Sequence, residues 1–308
     1  MGEYKVSIII PVYNGAQYLE EAVRSASILP ETGEILIVED GSTDNSWDVC
    51  KLIEMKNPLV RTFRHPGGGN LGAAASRNIG IINAKFDYIA FLDADDYYLP
   101  NRFKKEKEIF LTDSTIDGVY GCNIAKFEND EARKKFLKRY SGELTTMSKV
   151  IPPEKLFKVL LYGGCGYFHT SAITLHKSAF AKTGMFNTNI RYVEDTELWL
   201  RLSLLTRLVH GSIEEPISIR RVHDTNSIHQ INKVEEFRSK MYQSLFSWAL
   251  HESFDFETKN DFFITLHQST CQNATAVKKT FWHQVSRNPF LLISTFGIKK
   301  IHQLYFTY

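Results

Sequence analysis

Three carboxylates arrive within four positions at Asp93-Ala94-Asp95-Asp96, directly after the apolar run Tyr88-Ile89-Ala90-Phe91-Leu92. Oxygen donors at that density suit a hard divalent cation such as Mg²⁺ or Mn²⁺, which shares its coordination between carboxylates, water and substrate phosphates. The plainer reading is an N-capping turn, because Pro100 suits the first position of a following helix. Two further acidic pairs stand out. Glu39-Asp40 are adjacent acids that repel each other unless water or a ligand's donors satisfy them. Asp195, beside Glu194 at the start of an amphipathic run, is either a helix cap or a base, and a carboxylate within hydrogen-bond reach can take a hydroxyl proton. Arg77 faces a diphosphate or the solvent. His223 is a structural histidine or a ligand.

The apolar pattern supplies the elements that must position these groups. Val6–Ile10 is a continuous apolar run, as expected of a parallel strand covered on both faces, and Pro11 is expected to end it. A helix carrying Leu19, Val23 and Ala26 on one face follows, then a second strand over 34–38, which makes a β-α-β unit with Glu39-Asp40 on its tip. Val60–Phe63 reads as a third strand. The glycine-rich stretch His65–Gly72 then opens a helix through Arg77 to Ala84, and such a helix N-terminus favours anions. It is neither a Walker loop nor a dinucleotide fingerprint. The run 88–92 is a fourth strand, so its acids lie on a C-terminal tip, where open α/β sheets bind ligands.

Pro11-Val12-Tyr13-Asn14 after the first strand, Glu39-Asp40-Gly41-Ser42-Thr43-Asp44 after the second, Gly69–Gly80 on the third helix and Leu92–Asp96 after the fourth strand, in this order, closely resemble the family 2 glycosyltransferases. The resemblance covers residues 5–100. It implies a GT-A fold, an α/β architecture with a Rossmann-like, mostly parallel central sheet flanked by helices. It also implies an inverting, Mn²⁺- or Mg²⁺-dependent transfer from a nucleotide-sugar donor, a UDP-sugar in the first instance, within polysaccharide or cell-envelope synthesis. Carried over by position, Pro11, Val12 and Tyr13 would line the base and ribose pocket. Asp40 would accept the base N–H, and Glu39 would lie near the ribose. Arg77, Asp93, Ala94 and Asp95 complete the donor site, with Asp95 as the metal ligand. Glu39 replaces a more usual aspartate and Ser76 a common alanine; neither change removes a needed group.

In the second half, a helix from Pro100 to about Leu111 leads to a strand over 118–124. The charged stretch 126–149 reads as a solvated helix face or loop, with an acceptor-framing insertion as the alternative. Pro152 and Pro153 start a helix ending near Tyr162, and His169–Leu175 reads as a strand loosely similar to the family's acceptor-side segment. Arg191–Leu202 is a second match, and with it the resemblance makes Asp195 the general base and places Glu194 and His169 at the acceptor. Arg221-Val222-His223 matches a family histidine at the metal or diphosphate. A catalytic domain over 1–230 (donor half to about 125, acceptor half from about 126) and a helical extension over 231–308 follow.

Across the whole chain, 308 residues with 43% apolar content suffice for a sizeable core, and a net charge of +2 gives no reason to expect nucleic acid as a partner. Cys50, Cys122, Cys165 and Cys271 match no zinc spacing and read as reduced packing residues. No signal-peptide pattern or spanning run is visible, so the expectation is a cytoplasmic protein. Beyond Asp261 the chain has no acidic residue, while Lys278, Lys279, Arg287, Lys299 and Lys300 interleave with aromatics. A plain helical subdomain, peripheral contact with the inner face of the membrane and oligomer formation all remain open there. The expected partners are a nucleotide sugar and a saccharide or lipid-linked acceptor. A sugar-nucleotide pyrophosphorylase would carry a basic glycine-rich loop where Pro11–Asn14 stands. A non-catalytic binding subunit would be expected to lose Asp93, Asp95 and Asp195.

Overall fold

The computed structural model describes residues 3–138, 140, 142–223, 226, 231–270 and 277–306, and the chain divides into two compact units, Met1–His229 and Gln230–Tyr308. Cys271 lies outside the described residues.

In the first unit β1 (Val6–Val12) runs parallel to β2 (Thr32–Glu39) on one side and to β4 (Tyr88–Phe91) on the other, and β3 (Val60–Arg64) extends the sheet beyond β2. β9 (Ile173–His176) pairs antiparallel with β4 and with β6 (Gly118–Tyr120), and β10 (Leu208–His210) closes that edge. The order β10-β6-β9-β4-β1-β2-β3 sends β2 and β3 one way from β1 and β4 the other. The C-terminal ends of β1 and β4 therefore form a switch-point crevice of the kind that holds ligands in open α/β sheets.

Alternate residues of β1 serve opposite faces, as strand geometry requires. Ile8 and Ile10 pack with Leu19, Ala22, Val23 and Ala26 of α1 (Ala16–Ser27) and with Cys50 and Ile53 of α2 (Ser46–Lys56). Ile9 packs on the other face with Ala74 and Ile81 of α3 (Ala73–Asn83). A Cβ on Gly80 of α3 would come within 2.4 Å of the Ile9 side chain, so glycine is what lets this helix lie close on the sheet.

Pro11 was expected to end β1 but lies within it. Leu92 N–H donates to the Ile9 carbonyl and Asp40 N–H to the Val12 carbonyl, so odd positions face β4 and even positions face β2. Ile9 opposite Phe91 is the last β1–β4 pair. Proline's missing N–H thus points where no partner strand remains.

After α4 (Lys104–Thr112) the expected strand 118–124 is split. β6 stops at Tyr120, and β7 (Asn123–Phe127) belongs to a second sheet with β5 (Tyr97–Tyr98), β8 (Leu144–Thr145) and β11 (Ser218–Val222), ordered β5-β11-β7-β8. Gly121 makes the crossing, where a Cβ would meet Ile217 at 2.6 Å. The helix expected from Pro100 starts at Lys104, after a turn. The charged stretch 126–149 is not merely solvated: α5 (Asp130–Leu137) buries Ala132 and Phe136 against Ala125 and Val222. α6 (Pro153–Tyr162), α7 (Ser178–Thr183) and α8 (Glu194–Leu205) complete the unit. Residues 170–172 form a 3₁₀ turn ahead of β9 instead of the strand expected from His169.

The second unit is helical: α9 (Ile231–His251), α10 (Phe256–Thr270), α11 (Val277–Arg287), a 3₁₀ turn Pro289–Ile293 and α12 (Thr295–Phe306). Phe246, Phe263, Phe281 and Phe296 are buried in its core. Phe246 lies 5.6 Å, centroid to centroid, from both Phe263 and Phe296. Among the described residues no helix is long and apolar enough to cross a membrane.

Candidate active site

The loops after β1 and β2 are tied together at the crevice. Asn14, at φ +50, tolerates the left-handed region better than most residues. Its Oδ1 accepts the Thr43 N–H at 2.8 Å. Asp44 accepts N–H bonds from Ser46 and from Ala16, so it serves the starts of two helices. Val12 is fully buried and Tyr13 is 51% exposed, so of Pro11-Val12-Tyr13 the tyrosine presents most surface. Ala94 lies against Gly15, where an added Cβ would sit 3.3 Å away.

Asp40 holds the glycine-rich loop. It accepts the N–H of Leu71 at 2.7 Å and of Gly72 at 2.9 Å, and the Asn70 amide at 3.1 Å, with His65 Nε2 3.2 Å away. Burial pushes the Asp40 carboxyl up, against the pull of those N–H donors. Ser76, noted as a departure from alanine, meets His65 Nε2 at 2.9 Å and so belongs to the same network. Glu39 is fully buried. It accepts the Ser42 N–H and pairs with Arg64 at 2.7 Å.

Arg77 is buried and held between two acids. Its Nη2 donates to Asp93 Oδ1 and its Nη1 to Glu194 Oε1, each at 2.8 Å. The guanidinium also stands 5.4 Å from the centre of the Phe186 ring. Burial works against this charge, and Asp93 with Glu194 outweighs it. Asp93 responds in kind: burial would raise its carboxyl, but Arg77 holds it below the usual range.

Asp93, Asp96 and His169 each offer a ligand atom within 4.8 Å of the others. Burial, then the charges of Asp95 and Asp93, push Asp96 well up. Asp96 accepts Ser171 Oγ–H at 2.9 Å and Arg221 N–H at 3.0 Å. Burial and then Arg220 hold His169 down at about 3. Its Nδ1 accepts the Ser171 N–H at 3.2 Å, which suits a neutral ring. Asp95 Oδ2 lies 3.0 Å from His223 Nε2 and accepts the Asn226 amide at 3.0 Å. The carboxylates match the donor preferences of Mn²⁺ and Mg²⁺, and the imidazoles of His169 and His223 stand beside them.

On the facing element, Asp195 stands in the first turn of α8. Its Oδ1 accepts the Thr196 N–H at 2.6 Å, and Thr170 Oγ lies 3.5 Å from Oδ2. Three residues earlier Tyr192 has φ +66, an uncommon conformation for an aromatic residue and one that clusters at functional sites. The structure thus gathers Asp93, Arg77 and Glu194 in one network, Asp95 with His223 in another, and His169 with Asp93 and Asp96. Sequence reasoning missed Ser171, Asn226 and Arg221. Arg221 donates from Nε to the Asp95 carbonyl at 3.0 Å, and its place two residues before His223 was the available signal.

Residues 7–184 match the family described as Glycosyl transferase family 2. This chain belongs to glycosyltransferase family 2. As a family member it is 30% identical over 243 residues to an uncharacterized glycosyltransferase of Rickettsia typhi, covering 76% of this chain and 69% of the relative. Other curated relatives are longer, and the chain spans less than half the length of two further Rickettsia proteins. Among solved structures, Staphylococcus aureus TarS in complex with UDP-GlcNAc superposes with a TM-score of 0.62 at 16% identity, covering 94% of this chain and 75% of that one. A mannosyltransferase of Pyrobaculum calidifontis, solved with GDP-Man and Mn²⁺, gives 0.57 at 14% identity, covering 98% and 87%. The family member has the GT-A fold.

Proposed function

We propose that this glycosyltransferase moves a sugar with inversion from a nucleotide-diphosphate donor, in the first instance a UDP-sugar, to a hydroxyl of a saccharide or lipid-linked glycan. The observation that carries the proposal is the Arg77 bridge, which joins Asp93 on the donor side to Glu194, the neighbour of Asp195. A donor acid and the candidate base therefore share one wall of one crevice.

In this reading Tyr13 and Pro11 flank the base, and Asp40 keeps the Asn70–Gly72 loop in place beside it. Asp95 with His223, and Asp93 with Asp96 and His169, are the groups that would hold a divalent cation. A bound Mn²⁺ or Mg²⁺ would supply charge stabilisation to the departing diphosphate. Asp195 takes the proton of the acceptor hydroxyl as its oxygen bonds to the anomeric carbon and the bond to the diphosphate breaks. One displacement inverts the anomer, so no carboxylate nucleophile is needed. Glu194, held by Arg77, presents its remaining oxygen to acceptor hydroxyls, and His169 lines the same side. A lipid-linked acceptor would bring the enzyme to a bilayer at the cytoplasmic face.

A nucleotide-release screen over UDP-, GDP- and dTDP-sugars, with Mn²⁺ and with chelator, tests this directly. Release of UDP that depends on Mn²⁺ is expected. Release indifferent to chelator would remove the cation from the proposal, and release from none of the donors would favour a binding subunit. Pyrophosphate-dependent formation of nucleoside triphosphate would identify a pyrophosphorylase instead.

A further inference from the structure

The 3₁₀ turn Pro289–Ile293 between α11 and α12 is built outside-in. Leu291 is buried and anchors it, while Phe290 and Ile293 are 77% and 76% exposed. In a 3₁₀ turn residues three apart eclipse one another, so the two side chains stand side by side on the outer face. Trp282 on α11 and Ile298 on α12, 43% and 58% exposed, stand on the two helices that the turn joins. Internal packing of the unit does not account for these positions, since Phe281, Val285, Leu291 and Phe296 already fill the inward face.

The charge pattern identifies what covers them. Every acidic residue of the second unit lies at or before Asp261. Beyond it, Lys278, Lys279, Arg287 and Lys299 are exposed. Lys300 is turned inward, donating to Asn260 Oδ1 at 2.7 Å and to Gln303 Oε1 at 2.8 Å. Arg287 at the end of α11 and Lys299 in α12 flank the turn in the chain, and Lys278 and Lys279 stand in the first turn of α11. Such a basic, aromatic and aliphatic segment suits an anionic bilayer, where apolar side chains enter the headgroup boundary and lysines meet lipid charge. A second copy of this chain would set like charge against like, and protein interfaces are depleted in lysine. Since no described helix can cross a bilayer, the contact would be peripheral.

We propose that the Phe290–Ile293 turn, with the exposed basic residues of α11 and Lys299 of α12, is a peripheral docking surface for an anionic lipid bilayer. This holds whichever reaction the first unit performs.

The test uses the full chain and vesicles of phosphatidylcholine with and without phosphatidylglycerol. The parent protein is expected to sediment with the phosphatidylglycerol vesicles and to be released by salt. Phe290→Ser/Ile293→Ser should weaken that binding about tenfold or more, with an unchanged melting temperature because both side chains are exposed. Lys279→Gln/Arg287→Gln should remove the preference for phosphatidylglycerol. The proposal is overturned if the parent stays in the supernatant, or if Phe290→Ser/Ile293→Ser sediments as the parent does. It is also overturned if the parent forms a dimer that the same variant disperses, for then a second copy covers the turn.

Discussion

Arg77 and Glu194 meet at 2.8 Å although 117 residues separate them in the chain, and the same guanidinium lies 2.8 Å from Asp93. One buried cation therefore fixes the spacing between the tip of β4 and the start of α8. Removing a partner from such a cluster leaves an uncompensated charge, which typically costs about 3–5 kcal/mol. Arg77→Met should lower unfolding stability by that order in urea titrations. Adding Glu194→Gln to it should recover part of the loss, because one stranded carboxylate is gone. Additive losses in the double variant would count against a shared network.

Asp195 carries the proton in the proposed reaction, so Asp195→Asn should leave UDP binding intact while transfer falls about 10²–10⁴-fold. Isothermal titration with UDP and a transfer assay on the same preparation separate the two. Transfer near the parent rate would assign the base elsewhere.

Asp95 faces His223 at 3.0 Å. If these two hold the cation, Asp95→Asn should reduce Mn²⁺ affinity and UDP affinity together, because the nucleotide then loses its bridging charge. Asp96→Asn tests the neighbouring cluster separately. Mn²⁺ titration followed by paramagnetic resonance distinguishes them: an unchanged constant in Asp95→Asn with a lost one in Asp96→Asn would move the cation to Asp93, Asp96 and His169.

His169 titrates at about 3 in the folded protein, against about 6.5 for an unfolded histidine. Between these values only the unfolded chain takes up the proton, so this group makes stability fall as pH drops from about 7 towards 3. In chelator-treated protein, His169→Gln should remove roughly 1–2 kcal/mol of the loss between about pH 7 and pH 5. Urea titrations at the two pH values measure it. An unaltered slope would mean that the ring is already protonated in the fold.

The apolar runs of β1, β2 and β4 were legible because a strand covered on both faces needs β-branched and aliphatic residues in sequence. Where reading failed, a distant partner had decided the outcome. Pro11 stays in its strand because β4 ends opposite Ile9. Residues 118–124 split because Gly121 lets the chain cross beneath Ile217 into another sheet. The stretch 126–149 looks solvated by composition, yet Phe136 finds a buried place against Val222. In the site, the acids were visible as residue types on strand tips, whereas Ser171 and Asn226 carry no mark in the sequence. A serine or asparagine becomes part of a site only through what it faces.

The sequence by itself determined the family, the order of the β-α-β units and the strand tips and helix turn on which Asp40, Asp93, Asp95 and Asp195 would stand. Apolar periodicity and motif order are properties of chain neighbours, so they survive without coordinates. Only the tertiary structure decided that Arg77 spends its charge on Asp93 and Glu194, that Asp40 is occupied with Leu71 and Gly72, and that Phe290 and Ile293 point outward. Each of these depends on burial or on contacts between sequence-distant groups, and the energy of a buried charge or an exposed ring is set by what surrounds it, not by what precedes it in the chain.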